Sequence, residues 1–137
     1  MRLINICFDQ HYTLPEHTNI DIRTIDKIPN FSAEYITISF LNRIEKEQSV
    51  KILSDLCRKL KKQGKLIFSL LDFDQLIEAY HSQQLKLDDI CTYTKNLQCF
   101  IHRAEIIQMF HKNTNFSIDG IKTDDIYAIY TINRTNL

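Results

Sequence analysis

The chain has 137 residues, 44% of them hydrophobic and 25% charged, proportions that fit one folded domain over residues 1–137 and exclude a disordered, collagenous or rod-like chain. Seventeen Lys and Arg balance seventeen Asp and Glu, so the formal net charge is zero and the default case for nucleic acid or an anionic membrane surface is withdrawn. Lys, Asp or Thr breaks every apolar stretch well short of the about 20 residues of a membrane span. Asp9 interrupts the N-terminal run too soon for a secretory signal, so the expected location is the cytoplasm.

Residues 2–8 read as a short buried strand carrying Leu3, Ile4 and Ile6, and residues 19–22 as a second. About ten residues separate them, too few for the usual parallel crossover of a dozen or more with its helix, so that connection must be abbreviated. Residues 34–41 (EYITISFL) are β-branched and aromatic and predict a third buried strand. Over residues 46–62, Val50, Leu53, Leu56, Cys57 and Leu60 recur at helical spacing, with lysines in the last turns where cations suit the dipole. Gly64 is placed to end that helix as a left-handed cap.

Residues 65–71 (KLIFSLL) predict the clearest buried strand, and Asp72 opens a short helix bearing Leu76, Ile77 and Tyr80. Residues 81–98 have weak periodicity and read as a long excursion. Residues 103–110 return to helix, with Ile106, Ile107 and Phe110 on one side as core. Residues 116–121 and 125–132 read as two strands of a hairpin joined through residues 120–124. Helices that follow buried strands favour an α/β fold: a mostly parallel sheet with a C-terminal antiparallel hairpin at one edge.

With only two glycines, the chain has little room for a backbone loop that cradles a phosphate or nucleotide. Cys7, Cys57, Cys91 and Cys99 form no CxxC pair and read as reduced thiols, mostly in the core. Cys91, Cys99, His102 and His111 have the atom types for zinc, but a single short spacing favours buried thiols and surface histidines, so no metal is expected. Cys7 and His11 lie near one strand end without evidence of a nucleophile–base geometry. The cluster Arg58-Lys59-Leu60-Lys61-Lys62-Gln63-Gly64-Lys65 reads as a solvated, dipole-compensating face before it reads as a phosphate contact. Tyr127 and Tyr130, three apart in a strand, face opposite sides and form no single stacking platform.

The segment Leu60-Lys61-Lys62-Gln63-Gly64-Lys65-Leu66 resembles the helix, "LKPGG" and strand of class I S-adenosylmethionine (SAM) methyltransferases. The resemblance is nearest to small methyltransferase-like proteins associated with surface-polysaccharide biosynthesis, patterned roughly "LNLGCG … NVDI … VLEHF … RVLKPGGKL … VPDFDxL". Ile4-Asn5-Ile6-Cys7-Phe8-Asp9, Asn19-Ile20-Asp21-Ile22, Phe40-Leu41-Asn42-Arg43-Ile44, Arg58-Lys59-Leu60-Lys61 and Leu71-Asp72-Phe73-Asp74-Gln75-Leu76 stand against it in order, from Arg2 to about Tyr80. It implies a reduced Rossmann-like sheet with Cys7, Asp9 and Asp21 at the cofactor position, Asp21 toward the ribose.

The glycine positions hold Cys7 and Asp9 with bulky Phe8 between, so the pocket is expected to be filled or, through the Asp9 charge, repelling. Asp21, Asp72 and Asp74 match the family but also suit helix caps, and Asn42 and Arg43 replace its Glu-His pair, removing a proton-transfer residue. The expectation is a degenerate, non-catalytic methyltransferase-like domain without cofactor, an interaction or accessory protein in cell-envelope glycan assembly, and a homodimer because its sheet is short of covering helices. The alternative is an active SAM-dependent enzyme in which Asp21 holds the ribose, residues 7–9 edge the cofactor and Asp72 or His102 is a general base.

Overall fold

A computed structural model describes residues 3–136. Its strands are β1 (Leu3–Cys7), β2 (Thr18–Asp21), β3 (Ala33–Ile38), β4 (Leu60–Leu71), β5 (Phe116–Asp124) and β6 (Tyr127–Arg134). The α-helices are α1 (Lys46–Lys59), α2 (Phe73–His81), α3 (Leu87–Thr94) and α4 (Arg103–His111), with 3₁₀ turns at Ile22–Lys27 and Leu41–Arg43. The strands form one sheet in the order β2-β1-β3-β4-β6-β5, parallel from β2 to β4 and antiparallel across β4-β6-β5. The predicted mixed α/β sheet with an antiparallel C-terminal pair is therefore present. Arg2, the expected first residue of β1, lies outside the described residues.

Alternation in the strands creates the core. Ile36 and Ile38, Leu66, Phe68 and Leu70, and Ala128, Tyr130 and Ile132 are buried on one face. Leu53 and Leu56 of α1, Ile106 and Phe110 of α4, and Ile25 and Ile28 pack with them in one apolar cluster. The alternate residues Tyr35, Thr37, Ile67, Ser69, Ile129 and Thr131 are only half-buried, and Ile67 and Ile129 stay outside both apolar clusters. Handedness explains the asymmetry. A right-handed crossover from β1 to β2 runs opposite to the one from β3 to β4, so its helix would lie on the face away from α1. That connection, residues 8–17, contains no helix.

Several expected boundaries are corrected. Helix α1 stops at Lys59, and Leu60 already pairs with Ala33. The register shifts before Lys65 meets Tyr35, so the residues between them form a bulge. Gly64 is not left-handed; Gln63 takes that conformation, at φ 66°. Gly64 is needed for close approach instead, because a Cβ there would sit 2.7 Å from the Ala33 carbonyl oxygen. Strand β3 ends at Ile38, and Phe40 and Leu41 turn away into the 3₁₀ segment. The hairpin is longer than expected: Gly120 lies at a register shift inside β5, and the turn falls at Asp125 and Ile126, with Asp125 at φ 56°. Residues 81–98 contain α3, whose apolar side, Leu87, Ile90 and Cys91, spans only one turn and buries no residue fully, although Ile90 packs against the small cluster of Leu71, Leu76, Ala79 and Ile126.

Candidate cofactor cleft

In an open α/β sheet, ligands bind outside the carboxyl ends of the strands where the strand order reverses. Here the chain goes from β1 to one side and returns to β3 on the other, which places that point between β1 and β3. A cleft of about 810 Å³ opens there. Phe8, His11 and Tyr12 line it from the segment after β1, Ile22 and Arg23 from after β2, Phe40, Arg43 and Ile44 from after β3, and Gln48 and Ile52 from α1.

The segment after β1 keeps a tightly turned path without glycine. Phe8 and His11 exchange backbone hydrogen bonds of 3.1 and 2.8 Å. Asp9, Gln10 and Tyr12 take φ of 45°, 65° and 64°, conformations that glycine would adopt at least cost. Two asparagines hold this path. Asn5, 2% exposed, donates to the Tyr12 carbonyl at 2.6 Å and to Asn19 Oδ1 at 2.9 Å. Asn5 Oδ1 accepts from Thr37, and Asn19 bonds both the N–H and the carbonyl of Leu14. The sequence reading missed both residues; a lone Asn within an apolar strand was the available signal.

The cleft is open, so the expectation of a filled pocket is corrected. Cys7 is buried at the end of β1. Phe8 is 42% exposed, with the Arg23 guanidinium 5.2 Å over its ring. The Asp9 carboxylate pairs with Arg23, which also pairs with Asp21, so Asp9 is tied into the wall and the three side chains together carry one net negative charge. Asp21 Oδ1 accepts from Arg23 N and Nε at 2.9 and 2.8 Å, and its Oδ2 from Asp9 N and Arg23 Nη2 at 3.0 and 2.9 Å. Arg23, by side chain and backbone, and the Asp9 N–H hold the Asp21 carboxyl well below the usual carboxylate range. Arg23 thus joins Asp9 and Asp21, while Cys7 neighbours Asp21 only in strand register.

A second cavity of about 320 Å³ adjoins the cleft at the carboxyl ends of β3 and β4, lined by Ser39, Asn42, Ser69, Tyr93, Asp124 and Tyr127 among others. Tyr12, Phe40 and Arg43 line both spaces. Tyr12 and Phe40 stack at 4.8 Å between ring centroids, and the Arg43 guanidinium lies 5.9 Å from the Tyr12 ring. Arg43 has no carboxylate partner among the described residues. Asn42 is a brace: its Oδ1 accepts from Leu71 N at 2.7 Å and its Nδ2 donates to the Cys99 carbonyl at 3.3 Å.

The two residues named as a general base serve elsewhere. Asp72 caps α2 through Asp74 N and forms an ion pair with Arg103 in which the carboxylate is buried and the arginine half-buried. His102 Nδ1 accepts from Ala104 N at the start of α4. Neither lines the cleft or the second cavity. His11 lines the cleft but Cys7 is buried, and among the described residues no three His, Cys, Asp or Glu side chains converge as metal ligands. The basic cluster is largely neutralised: Arg58 pairs with Asp55, Lys61 with Glu34 and Lys65 with Asp119. No helix among the described residues is long and apolar enough to cross a membrane.

No family model matches the sequence, and no curated protein matches it. Solved structures match its fold at low identity. A possible exported protein from Bordetella parapertussis is 13% identical, with TM-score 0.65 over 97% of this chain and 53% of its own. An O-methyltransferase family protein from Burkholderia thailandensis is 11% identical, with TM-score 0.59 over 88% of this chain and 36% of its own. A SAM-dependent methyltransferase from Archaeoglobus fulgidus is 9% identical, with TM-score 0.64 over 97% of this chain and 86% of its own. The chain thus spans about half of the first and little over a third of the second. It has the class I methyltransferase-like fold. The expectation of a domain with no cofactor is overturned: the fold is one that SAM-dependent methyltransferases share, and its switch-point cleft is open.

Proposed function

We propose that this chain binds SAM in the switch-point cleft, retains it without transferring its methyl group, and acts as an accessory domain. The open cleft between the ends of β1, β2 and β3 carries this reading. Its residues fit the cofactor's parts. Ile22, Ile44, Ile52 and Phe40 offer apolar walls to an adenine ring. Arg23 and Gln48 line the cleft and offer polar groups to ribose hydroxyls, while Asp21, whose two oxygens already accept four hydrogen bonds, stands behind Arg23 and holds it in place. Arg43, without a carboxylate of its own, supplies the counter-charge for the amino-acid carboxylate. SAM, when bound, supplies an electrophilic methyl group. The Tyr12–Phe40 stack stands between the cleft and the second cavity, and Asp72 and His102 are committed to caps and an ion pair. Those features favour binding without turnover.

The sequence resemblance supplies the setting, cytoplasmic work in cell-envelope glycan assembly. Pairing of two copies in a homodimer fits the sheet face that carries Tyr35, Ile67, Ile129 and Thr131, which no crossover helix from the β1–β2 connection covers. Calorimetric titration with SAM and with its demethylated product tests the reading. The expected result is saturable binding of both, weakened about tenfold by Arg43→Ala, which corresponds to ~1.4 kcal/mol. Absence of saturable heat up to millimolar SAM refutes the binding, and methyl release from labelled SAM to an added acceptor refutes the accessory role.

A further inference from the structure

At the end of the sheet away from the cleft, Arg134 closes β6 beside the first residues of β5. It is 6% exposed. Its guanidinium lies 4.7 Å from the Phe31 ring centroid and 5.2 Å from that of Phe116. Nη1 donates to the Cys57 carbonyl at the end of α1, and Nε to the Asn136 carbonyl, each at 2.9 Å. A guanidinium carries five N–H groups, so most of its donors, including both on Nη2, have no acceptor among the described residues. No carboxylate there pairs with it either.

Such a charge is costly to bury and seeks an anion. Nη2 is not sealed in, since the buried side-chain nitrogens and oxygens without partners are Arg103 Nε and Asn133 Oδ1 alone among the described residues. Arg134 lines a cavity of about 380 Å³ between the ends of α1 and α4. Asn113 and Asn115 supply polar atoms to it, and Met109 and Phe110 supply apolar wall.

We propose that this cavity is a binding site for a small organic carboxylate, gripped by the Arg134 fork with its apolar body against Met109 and Phe110. A planar carboxylate matches the guanidinium edge with two parallel hydrogen bonds. Its single negative charge balances the single positive one. A phosphate would leave surplus charge beside Met109 and Phe110, because Arg58, the other cation lining the cavity, is paired with Asp55. The inference is independent of the cofactor cleft.

Butyrate is the probe, titrated at constant ionic strength into the isotopically labelled full chain while NMR follows the Asn113 and Asn115 amides and the Arg134 Nε–H. Saturating shifts are expected below about 50 mM butyrate, with inorganic phosphate weaker and chloride without a saturating effect. Arg134→Lys keeps the charge but loses the fork, and should weaken binding by at least about tenfold. Should that variant fail to fold, Asn113→Asp at the exposed mouth introduces a competing carboxylate and should produce a similar loss. Its Oδ1 can still accept from Asn115 N, as Asn113 does at 3.0 Å. The proposal is overturned by shifts that do not saturate with butyrate, by tighter binding of phosphate than of butyrate, or by unchanged butyrate affinity in Asn113→Asp.

Discussion

Replacing Gly64 with alanine would put a Cβ 2.7 Å from the Ala33 carbonyl oxygen and 2.8 Å from that of Lys61. Both obstacles are backbone atoms, so a rotamer change relieves neither, and the bulge between β3 and β4 must shift. Overpacking of this kind costs about 2 kcal/mol. For a chain of this length the entropy of unfolding is about 0.3 kcal/mol/K, so the loss becomes a fall in Tm of about 7 °C. Gly120→Ala is the matched control, because a Cβ there meets nothing within 4 Å. It should leave stability within about 0.5 kcal/mol of the parent or raise it slightly by restricting the unfolded chain. Calorimetry of the two variants beside the parent reads the difference. A Gly64→Ala protein melting within about 2 °C of the parent would refute the argument, as would equal losses at the two glycines.

Asp72→Ala removes the buried carboxylate that caps α2 and pairs with Arg103, whose side chain keeps 34% exposure and can turn to water, so urea unfolding should show a loss of about 2 kcal/mol from the cap and the charge-assisted bond together; an unchanged midpoint would refute both roles. Burial pushes the Cys57 thiol up to about 12, so this group favours the folded state below the ordinary thiol value and that support fades as pH rises toward 12. Thiol reagent at pH about 8 should therefore modify exposed Cys91 in the native protein and reach Cys57 only on unfolding, as peptide mass mapping would show. For Asp21 the sign is opposite: its folded pKa lies below the unfolded value, so its support is present above the ordinary carboxylate range and lost as pH falls through the folded value. Its carboxyl-carbon NMR signal should show no inflection near pH 4, and Arg23→Ala should move the titration up toward about 4.

What the sequence disclosed was what a few neighbouring residues decide. KLIFSLL alternates and is buried on one side, and Leu53 and Leu56 recur at helical spacing, so β4 and the body of α1 could be read directly. The role of Gly64 could not, because one of the two oxygens that exclude a side chain belongs to Ala33, on a strand fixed by sheet pairing, and the other to Lys61, turned inward by the bulge. Helix α3 escaped for the opposite reason: it is eight residues long, and Leu87, Ile90 and Cys91 mark its apolar side over a single turn, too short a run for periodicity to stand out. At the site, Asp9 and Asp21 were legible as positions in a resemblance, but their charges were weighed singly. Arg23 lies two residues after Asp21 and reaches back to Asp9 only once β1 and β2 are side by side, and that pairing ties both carboxylates to one cation, which no residue-by-residue reading shows. Asn42 was read as a lost catalytic group, whereas its bonds tie the end of β4 to the approach to α4.

Strand β4 has its two neighbours at very different distances along the chain. Ala33–Ile38 precedes it, but Tyr127–Arg134, which closes its other edge, follows after three helices and β5. A ribosome adding about 5–20 residues per second needs several seconds to make that interval. During that time the nascent protein can assemble β1 to β4, while the β6-facing edge of β4 displays unpaired backbone beside Leu66, Phe68 and Leu70. Such an edge can add a strand from another chain as readily as its own. The vulnerable stage in the life of this protein is thus its synthesis, and slowing translation between β4 and β6 should raise aggregation without altering the stability of the finished fold.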